Sequence, residues 1–411
     1  MQKSRVISPS FANIRNEECT LDRFVLERKT YAGTEKGGQN KPYLSHTAKV
    51  SVVEVPRLYY FDNIKILLII IVVFIHAGMA YIPTAEGWSP SFPEPLPFSD
   101  VLVVGTFEAV SASFAMALFF FISAYLLVTS FDRKGRQKFL RDRFVRIGIP
   151  LFGIVAFLLI LIAAVRANPA TFSFGWLWFL VFLLVLAVAY SVWRRFNITI
   201  PPVPCPGNGA LLLAAMALGA ANFAVRGWYA WDQWLLWHAV EPAHVPLYVL
   251  FVIGGILAYR NGWLEAVSPS LVRAWGIITV VGLCGIPVFI AVIGVEPLGG
   301  GFTLPALLYA FWEAFLGIGI CTCMLVVFKH RWNTTGRIKT ALTKNVYAVY
   351  LIQIPIILFL QGRFIQGGVL IPGGLPPLLQ FALVGVLATA FCFLISNYIV
   401  RKIPYAERLV F

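Results

Sequence analysis

Charged residues are scarce in this chain of 411 residues, and their scarcity excludes a soluble globular protein. Asp, Glu, Lys and Arg together make up 13% of the sequence, whereas 59% of the residues are hydrophobic. The mean hydropathy is +0.79. A water-soluble fold of this size cannot remove that much apolar surface from water, and lipid is the natural solvent for it. The composition therefore predicts an integral membrane protein.

Several motifs of well-known enzyme classes are also missing. The sequence contains no Gly-rich nucleotide loop, no HExxH zinc motif and no GxSxG nucleophile motif. Its six cysteines have no spacing typical of a disulfide framework. His238, Glu241 and His244 recur every three residues, but Pro242 and Pro246 interrupt any helix that would align them on a metal. We therefore expect no metal cofactor.

The N-terminal region lacks the short apolar core of a signal peptide. Residues 1–56 are polar, with alternating charges and few aromatic residues. This composition predicts a disordered cytoplasmic tail over 1–56, followed by a membrane domain over 57–408.

Long apolar runs recur along the membrane domain. A membrane-spanning helix needs about 20 apolar residues, and the backbone must satisfy its own hydrogen bonds in lipid, which leaves only helices or closed barrels. The runs are too evenly apolar for barrel strands. We predict an all-α, polytopic protein with about ten transmembrane helices, at roughly 60–82, 105–130, 147–166, 174–194, 209–226, 245–260, 273–294, 305–328, 342–361 and 376–399.

Basic residues alternate between the loops that join these runs. The formal net charge is +14, and Lys and Arg concentrate after the second, fourth, sixth, eighth and tenth runs. The first loop (83–104) has no Lys or Arg, and the third and fifth have only Arg166 and Arg226. This alternation predicts a multi-pass protein of the plasma membrane with both termini in the cytoplasm. It also accounts for the charge without nucleic acid, which we do not expect as a partner.

Ionisable residues inside a membrane span are costly and mark candidate functional positions. The first span carries Asp62, Lys65 and His76. Lys65 and His76 are separated by about three helical turns, or about 16 Å of rise, and therefore share one face. Asp62 lies one turn before Lys65 and is placed to pair with it. His76 suits proton transfer near neutral pH, although a hydrogen bond to a neighbouring helix explains it equally simply.

Two further positions carry both a functional and a structural interpretation. Glu313 is the deepest carboxylate in the chain, so it must be protonated, paired or exposed to a cavity. Arg143 and Arg146 lie one turn apart in the densest cationic stretch. They satisfy the positive-inside pattern and lipid contact, but paired guanidinium groups also suit the phosphates of a cytosolic anion.

Tryptophan is concentrated in the fifth loop, which reads WYAWDQWLLWHAVEP over 228–242. An aromatic belt at the membrane interface explains such a composition. A platform on which a sugar ring stacks is the sharper hypothesis for the same residues.

A series of short motifs resembles the membrane acyltransferase family 3, particularly its glucan-modifying branch. The motifs occur in the family's order: RLYYFDNIKILLIIIVVFIHAGMAY (57–81), FFFISAYLL (119–127), KFLRDRFVRIGIP (138–150), FGWLWFL (174–180) and LTKNVYAVYLIQIPIILFLQ (342–361). The resemblance covers residues 57 to 408. Two positions depart from it, because Lys65 stands where the family often has Arg and Gln353 where many relatives have His.

The resemblance implies an acyltransferase that moves an acyl group, usually acetyl, from cytosolic acyl-CoA to a hydroxyl of a sugar or glycan at the outer face. His76 would be the catalytic residue, with Lys65, Asp62 and Glu313 as supporting members of the site. Arg143 and Arg146 would bind the acyl-CoA. The expected partners are the lipid bilayer and the glycan acceptor, and a homo-oligomer stays open. The alternative is a transporter of a lipid-linked sugar or small anion, which broken helices or an inverted repeat would favour.

Overall fold

The computed structural model describes residues 23–27, 51–55, 57–81, 96–164, 172–196, 198, 201–363 and 375–409. Residues Met1–Leu58 and Tyr59–Phe411 form two separate units. In the first unit, strand β1 (Arg23–Glu27) pairs antiparallel with strand β2 (Ser51–Val55). The rest of the tail that the sequence predicts to be disordered falls outside the described residues.

The second unit is built from helices. Those described are α1 (Tyr59–Gly78), α2 (Phe98–Lys134), α3 (Arg136–Arg143), α4 (Ile149–Ala164), α5 (Trp178–Trp193), α6 (Asn208–Arg226), α7 (Val245–Asn261), α8 (Trp263–Ala266), α9 (Pro269–Ile293), α10 (Leu304–Arg331), α11 (Arg337–Gln361), α12 (Pro377–Tyr398) and α13 (Ala406–Leu409). Short 3₁₀ turns extend several of them. Ten of the resulting segments are long and apolar enough to cross a membrane, so the predicted all-α architecture with ten spans is confirmed.

The basic stretch after α2 differs from the loop that its charges suggested. A single residue, Gly135, separates α2 from α3, and its φ of +70° is a conformation that glycine adopts without strain. A π-helical turn, Phe144–Gly148, then joins α3 to α4. The third span therefore begins at Arg136 and carries both Arg143 and Arg146 on helical backbone. Hydropathy alone missed the helical segment from Arg136 to Gly148, because hydropathy detects apolar runs and this segment is rich in charge. Charged residues at the membrane interface can still form helical backbone hydrogen bonds.

Helix α2 lies at the centre of the bundle and packs against α1, α7, α9 and α10. Two glycines allow its closest contacts: a side chain at Gly255 of α7 would overlap the Phe121 carbonyl oxygen, and one at Gly317 of α10 would overlap that of Ser113. Small residues are the usual means by which membrane helices bring their backbones together. This close packing holds α2 in a fixed position relative to α7 and α10.

The end of α1 is anchored by neighbouring helices. Gln361, the last residue of α11, donates a hydrogen bond from Nε2 to the Ala77 carbonyl at 3.1 Å. Phe74 makes edge-on ring contacts with Phe107 of α2 and Phe381 of α12, at centroid distances of 6.3 and 5.8 Å. These contacts hold the last two turns of α1, which include His76, in a defined position.

Candidate active site

A cavity of about 260 Å³ is lined by the end of α1, the first turns of α2 and the Trp-rich loop (residues 228–242). Its lining is largely aromatic and includes Trp176, Trp178, Trp231, Trp234, Tyr81 and Tyr309. The polar groups in its wall are His76, Glu108, Asp232, His238, Glu241 and His244. Concave, mostly apolar sites with a few converging polar groups are typical of small-ligand binding. Of the predicted site residues, His76 alone lines this cavity.

The orientation of the His76 ring follows from its own helix. Nδ1 lies 2.8 Å from the Val72 carbonyl one turn earlier. Because a carbonyl oxygen can only accept, Nδ1 carries the proton, and the neutral ring then has its lone pair on Nε2. That is the arrangement a general base requires. The sequence placed His76 on a helix, and the structure adds the tautomer.

Gln353, the position where the resemblance calls for His, lies against His76. Its side chain is fully buried in α11 and lies beside the imidazole. Its Nε2 also donates to the Tyr350 carbonyl of the same helix at 3.4 Å. An amide can orient an imidazole but cannot exchange a proton with it near neutral pH. Gln353 is therefore suited to hold the ring in place.

Asp62 and Lys65 form an ion pair at the other end of α1, with Lys65 Nζ 2.8 Å from Asp62 Oδ1. They do not line the cavity. The same end of α1 is tied to the chain after α10, because the Tyr60 amide donates to Asn333 and the Asn63 side chain donates to the Trp332 carbonyl. Along the helix, Lys65 therefore lies about 16 Å from His76, and Asp62 lies about 21 Å from it.

Arg143 and Arg146 also lie at this opposite end, because α2 runs antiparallel to α1. Within the described residues, neither guanidinium forms an ion pair with a carboxylate; the adjacent Asp142 is bound instead by Lys134 at 2.5 Å. Arg143 lies over the Phe139 ring, 5.3 Å from its centroid. Two cations without a carboxylate partner, one of them exposed, can bind an anion.

The backbone at Arg146 is supported from α11. Pro150 has no N–H and cannot donate to the Arg146 carbonyl four residues earlier. The Tyr347 hydroxyl donates to that carbonyl instead, at 2.9 Å. Gln353 and Tyr347 stand on the same helix, so α11 contacts both the Arg146 turn and His76.

Glu313 is completely buried, and it faces other side chains rather than the cavity. Arg226 Nη2 donates to Glu313 Oε2 at 2.6 Å, and the Asn222 amide donates to the same oxygen at 2.9 Å. His244 Nε2 lies 3.1 Å from Oε1 of Glu313, while its Nδ1 lies 2.9 Å from Glu241. Contact with two carboxylates suits a charged imidazolium, and the cluster then contains two positive and two negative groups. Buried charges in a membrane protein persist when balanced in this way.

This cluster forms the back wall of the cavity, because His244, Glu241 and Tyr309 belong to both. Sequence reasoning identified Glu313 but counted Arg226 as a loop charge, whereas the structure places Arg226 fully buried in the last turn of α6. A usable signal was available: Asn222 precedes Arg226 by one helical turn, so two polar groups share one face of an apolar helix.

The Trp-rich loop is held in a tight, unusual conformation. Leu236, Trp237 and His238 all have positive φ, at 54°, 55° and 62°, although none is glycine. The turn is closed by hydrogen bonds from Leu235 to Val240 at 2.7 Å and from Phe174 to the Trp237 carbonyl at 2.8 Å. Consecutive left-handed residues cost about 1–3 kcal/mol each. Such strain concentrates at functional sites, and here the loop brings Trp234 and His238 into the cavity wall.

Among the residues that the structure describes, no group of three or more His, Cys, Asp or Glu is arranged to hold a metal ion. The regular spacing of His238, Glu241 and His244 instead serves the turn and the buried cluster. His244 lies within ion-pair distance of Glu241 and Glu313, and the His238 ring centroid lies 6.0 Å from that of Trp234.

One protein family matches most of the helical unit. No curated protein and no solved structure matches the chain. A family model described as an acyltransferase domain matches residues 58–397, which run from α1 into the last turn of α12 and so include His76, Arg143, Arg146 and the buried cluster. A match over that length shows the family, and the chain belongs to the membrane acyltransferase family 3.

Proposed function

We propose that the protein transfers an acyl group, in the first instance acetyl, from cytosolic acyl-CoA to a hydroxyl of a sugar or glycan on the outer side of the plasma membrane. The observation that carries the proposal is His76, whose Nδ1–H is bound to the Val72 carbonyl in the wall of an aromatic cavity. The orientation used here, with both termini and the Arg143 end in the cytoplasm, rests on the charge pattern of the loops.

The donor site is the Arg143 end of the bundle. Acyl-CoA carries several phosphates, and Arg143 and Arg146 offer guanidinium groups without a carboxylate partner among the described residues. Lys65, paired with Asp62 at the same end, contributes to the positive surface. Tyr347 supports the turn that presents Arg146. These residues bind and orient the donor and do not touch the reacting atoms of the acceptor.

The acceptor site is the aromatic cavity. His76 Nε2 takes the proton of the acceptor hydroxyl as its oxygen attacks the thioester carbonyl carbon. The new C–O bond forms, the C–S bond breaks, and the proton leaves with the CoA thiolate as the thiol. Gln353 keeps the ring oriented. Glu313 acts through His244, which it holds in the cavity wall, and is therefore a positioning residue.

Two routes use the same residues. In one, His76 acts only as a general base, and in the other Nε2 attacks the thioester first and carries the acyl group to the acceptor. The second route leaves a labelled protein when the acceptor is omitted. Acid quenching of the protein after incubation with radiolabelled acetyl-CoA alone separates them, because label on wild type and its absence in His76→Ala would assign the covalent route.

The function is tested by transfer of label from acetyl-CoA by the full chain in nanodiscs. Loss of a positioned general base costs about 10²–10⁴-fold in rate, and we expect a fall in this range for His76→Ala. His330→Ala is the matched control, since His330 is exposed at the end of α10 and lies outside the cavity. Full transfer by a well-folded His76→Ala protein would refute the mechanism. Absence of acetyl-CoA use by wild type would favour the transporter hypothesis.

The shape of the spans bears on that alternative. In the described residues, each of the ten spans is a continuous helix, apart from the π-turn at the start of the third. Transporters of the inverted-repeat type commonly interrupt helices near the middle of the bilayer to build their sites. The continuity of the helices around this cavity favours a fixed catalytic site.

A further inference from the structure

Both routes of the proposed reaction place negative charge on the thioester carbonyl oxygen. When the acceptor hydroxyl or His76 Nε2 attacks the carbonyl carbon, that oxygen becomes an oxyanion in the tetrahedral intermediate. Among the described residues no Lys or Arg lines the cavity wall, and both nitrogens of His244 face carboxylates. Stabilisation of the oxyanion in this cavity therefore depends on neutral hydrogen-bond donors.

Two polar atoms of the lining residues are buried and have no hydrogen-bond partner within the described part of the chain. One is Nε1 of Trp176, which carries a hydrogen and can only donate, and the other is Oε1 of Glu108. Buried polar groups are nearly always paired, so each of these atoms indicates a place for a ligand atom or a water molecule.

The carboxyl group of Glu108 is more stable in its neutral form at this position. Glu108 belongs to the membrane-spanning helix α2, and no Lys or Arg among the described residues lines the cavity beside it. A carboxylate buried without a cation or a hydrogen-bond donor is far more costly than the neutral acid. The neutral acid has an O–H donor, and acids of this kind stabilise oxyanions together with a second donor in other enzymes.

The placement of Glu108 depends on a contact with α1. A Cβ atom at Gly78, two residues after His76, would overlap Glu108 Oε1. Glycine at this position therefore allows the carboxyl group of α2 to lie against the last turn of α1. Glu108 and His76 consequently line one cavity from neighbouring helices.

Trp176 is held at the same cavity by a contact with α11. The Tyr350 hydroxyl donates to the Trp176 carbonyl, which anchors the backbone of the short turn before α5. Gln353, one turn after Tyr350 in α11, lies beside the His76 imidazole. One helix therefore contacts both the turn that carries the indole and the ring that acts as the general base.

We propose that Trp176 Nε1–H and the neutral carboxyl group of Glu108 form the oxyanion hole of this enzyme. The proposal rests on the function given above and adds two catalytic residues to the same site. As the attacking atom bonds to the thioester carbonyl carbon, both groups donate hydrogen bonds to the carbonyl oxygen, and neither gives up its proton. The C–S bond then breaks, the C=O bond re-forms, and the proton of the acceptor leaves with the CoA thiolate as the thiol.

The first test is Trp176→Phe, which keeps an aromatic ring and removes the N–H donor. The purified full chain in nanodiscs is given radiolabelled acetyl-CoA with methyl glucoside as the acceptor probe, and both transfer to the sugar and hydrolysis by water are measured. Loss of one oxyanion donor lowers kcat by about 10²–10³-fold. We expect a fall in this range with an unchanged KM for acetyl-CoA, because the CoA phosphates bind at the Arg143 end. Trp332→Phe is the matched control: this half-exposed indole follows α10 outside the cavity, and its variant should keep the wild-type kcat.

Two substitutions of Glu108 test its role as a neutral donor. Glu108→Gln replaces the O–H donor with an amide N–H donor, so we expect a kcat within about tenfold of wild type. Glu108→Met is of similar length and has no donor, so its kcat should fall by about 10²–10³-fold. A carboxylate that acted as a base would lose as much activity in the Gln variant as in the Met variant. The melting temperatures should match wild type, since Glu108 Oε1 has no partner among the described residues to lose.

A wild-type kcat in a folded Trp176→Phe protein would overturn the proposal, as would equal kcat values for Glu108→Gln and Glu108→Met. If Trp176→Phe does not fold, the comparison of the two Glu108 variants decides. Either contrary result, together with loss of turnover in His76→Ala, would leave the acyltransferase assignment intact and refute only the oxyanion hole. If wild type neither transfers nor hydrolyses the acetyl group, the proposed function fails and the oxyanion hole fails with it.

Discussion

Replacing Arg226 with Met removes the positive charge that compensates Glu313 in the interior of the bundle. The two side chains are completely buried and lie 2.6 Å apart. Breaking a buried ion pair by removing one partner typically costs about 3–5 kcal/mol, because the other charge stays buried without compensation. Asn222 and His244 still contact Glu313, which supports the lower part of this range. We expect Arg226→Met to destabilise the protein by about 3–5 kcal/mol.

A double-mutant cycle separates the ion pair from the packing of Arg226. Glu313→Gln keeps the shape of the side chain and removes its charge, so Arg226→Met combined with Glu313→Gln leaves no unpaired charge at this pair. We therefore expect the double variant to be more stable than Arg226→Met alone. The free energy of unfolding is measured by reversible denaturation of the purified protein in mixed micelles, with each single variant and the double variant under the same conditions.

A pair from the surface provides the control. Arg194 and Asp132 are 3.3 Å apart, and their side chains are 37% and 41% exposed. Exposed ion pairs contribute about 0–1 kcal/mol, so Arg194→Met should fall within that range. If Arg226→Met costs no more than Arg194→Met, or if the double variant is less stable than Arg226→Met, the buried cluster does not depend on charge compensation and the reasoning is wrong.

Two further predictions concern the ends of the site. Changing both Arg143 and Arg146 to Gln should raise the KM for acetyl-CoA at least about tenfold, because charge-assisted bonds to phosphate are lost. The KM of this variant should also depend less on salt concentration than that of wild type. Arg194→Gln is the control, and an unchanged KM in the double variant would remove Arg143 and Arg146 from the donor site. Gly78→Ala should displace the Glu108 side chain and weaken the binding of methyl glucoside. The loss of stability should be small, because the atom that the new methyl group overlaps is the end of a flexible side chain. Gly254→Ala is the control: its added methyl group meets only ordinary contacts, so this variant should bind the sugar like wild type.

The helical spans were predictable because each is a local property. A run of about 20 apolar residues must form a helix in lipid, whatever its neighbours are. The exception was the stretch from Arg136 to Gly148, where high charge concealed a helix that the structure continues into α4. Hydropathy identifies residues that are buried in lipid. A helical segment that lies in the membrane interface is rich in charge and therefore does not appear as an apolar run.

The residues around His76 were less predictable. The sequence placed His76 and Lys65 on one face of α1, which is correct for the helix, but it could not show that Glu108 lies against Gly78. Contacts between helices depend on how the bundle packs, and a pattern within one helix carries no information about its neighbour.

The sequence by itself determined that this chain is an integral membrane protein, how many times it crosses the membrane, and which family it resembles. These properties follow from the length of the hydrophobic runs, the alternation of charge between loops and the order of the motifs, all of which are features of the linear sequence. Only the tertiary structure decided that Glu313 pairs with Arg226 and His244, 87 and 69 residues away. It also placed Gln353 beside His76. The physical reason is that a charge buried in lipid must find its partner on another helix, and helix packing alone selects which one.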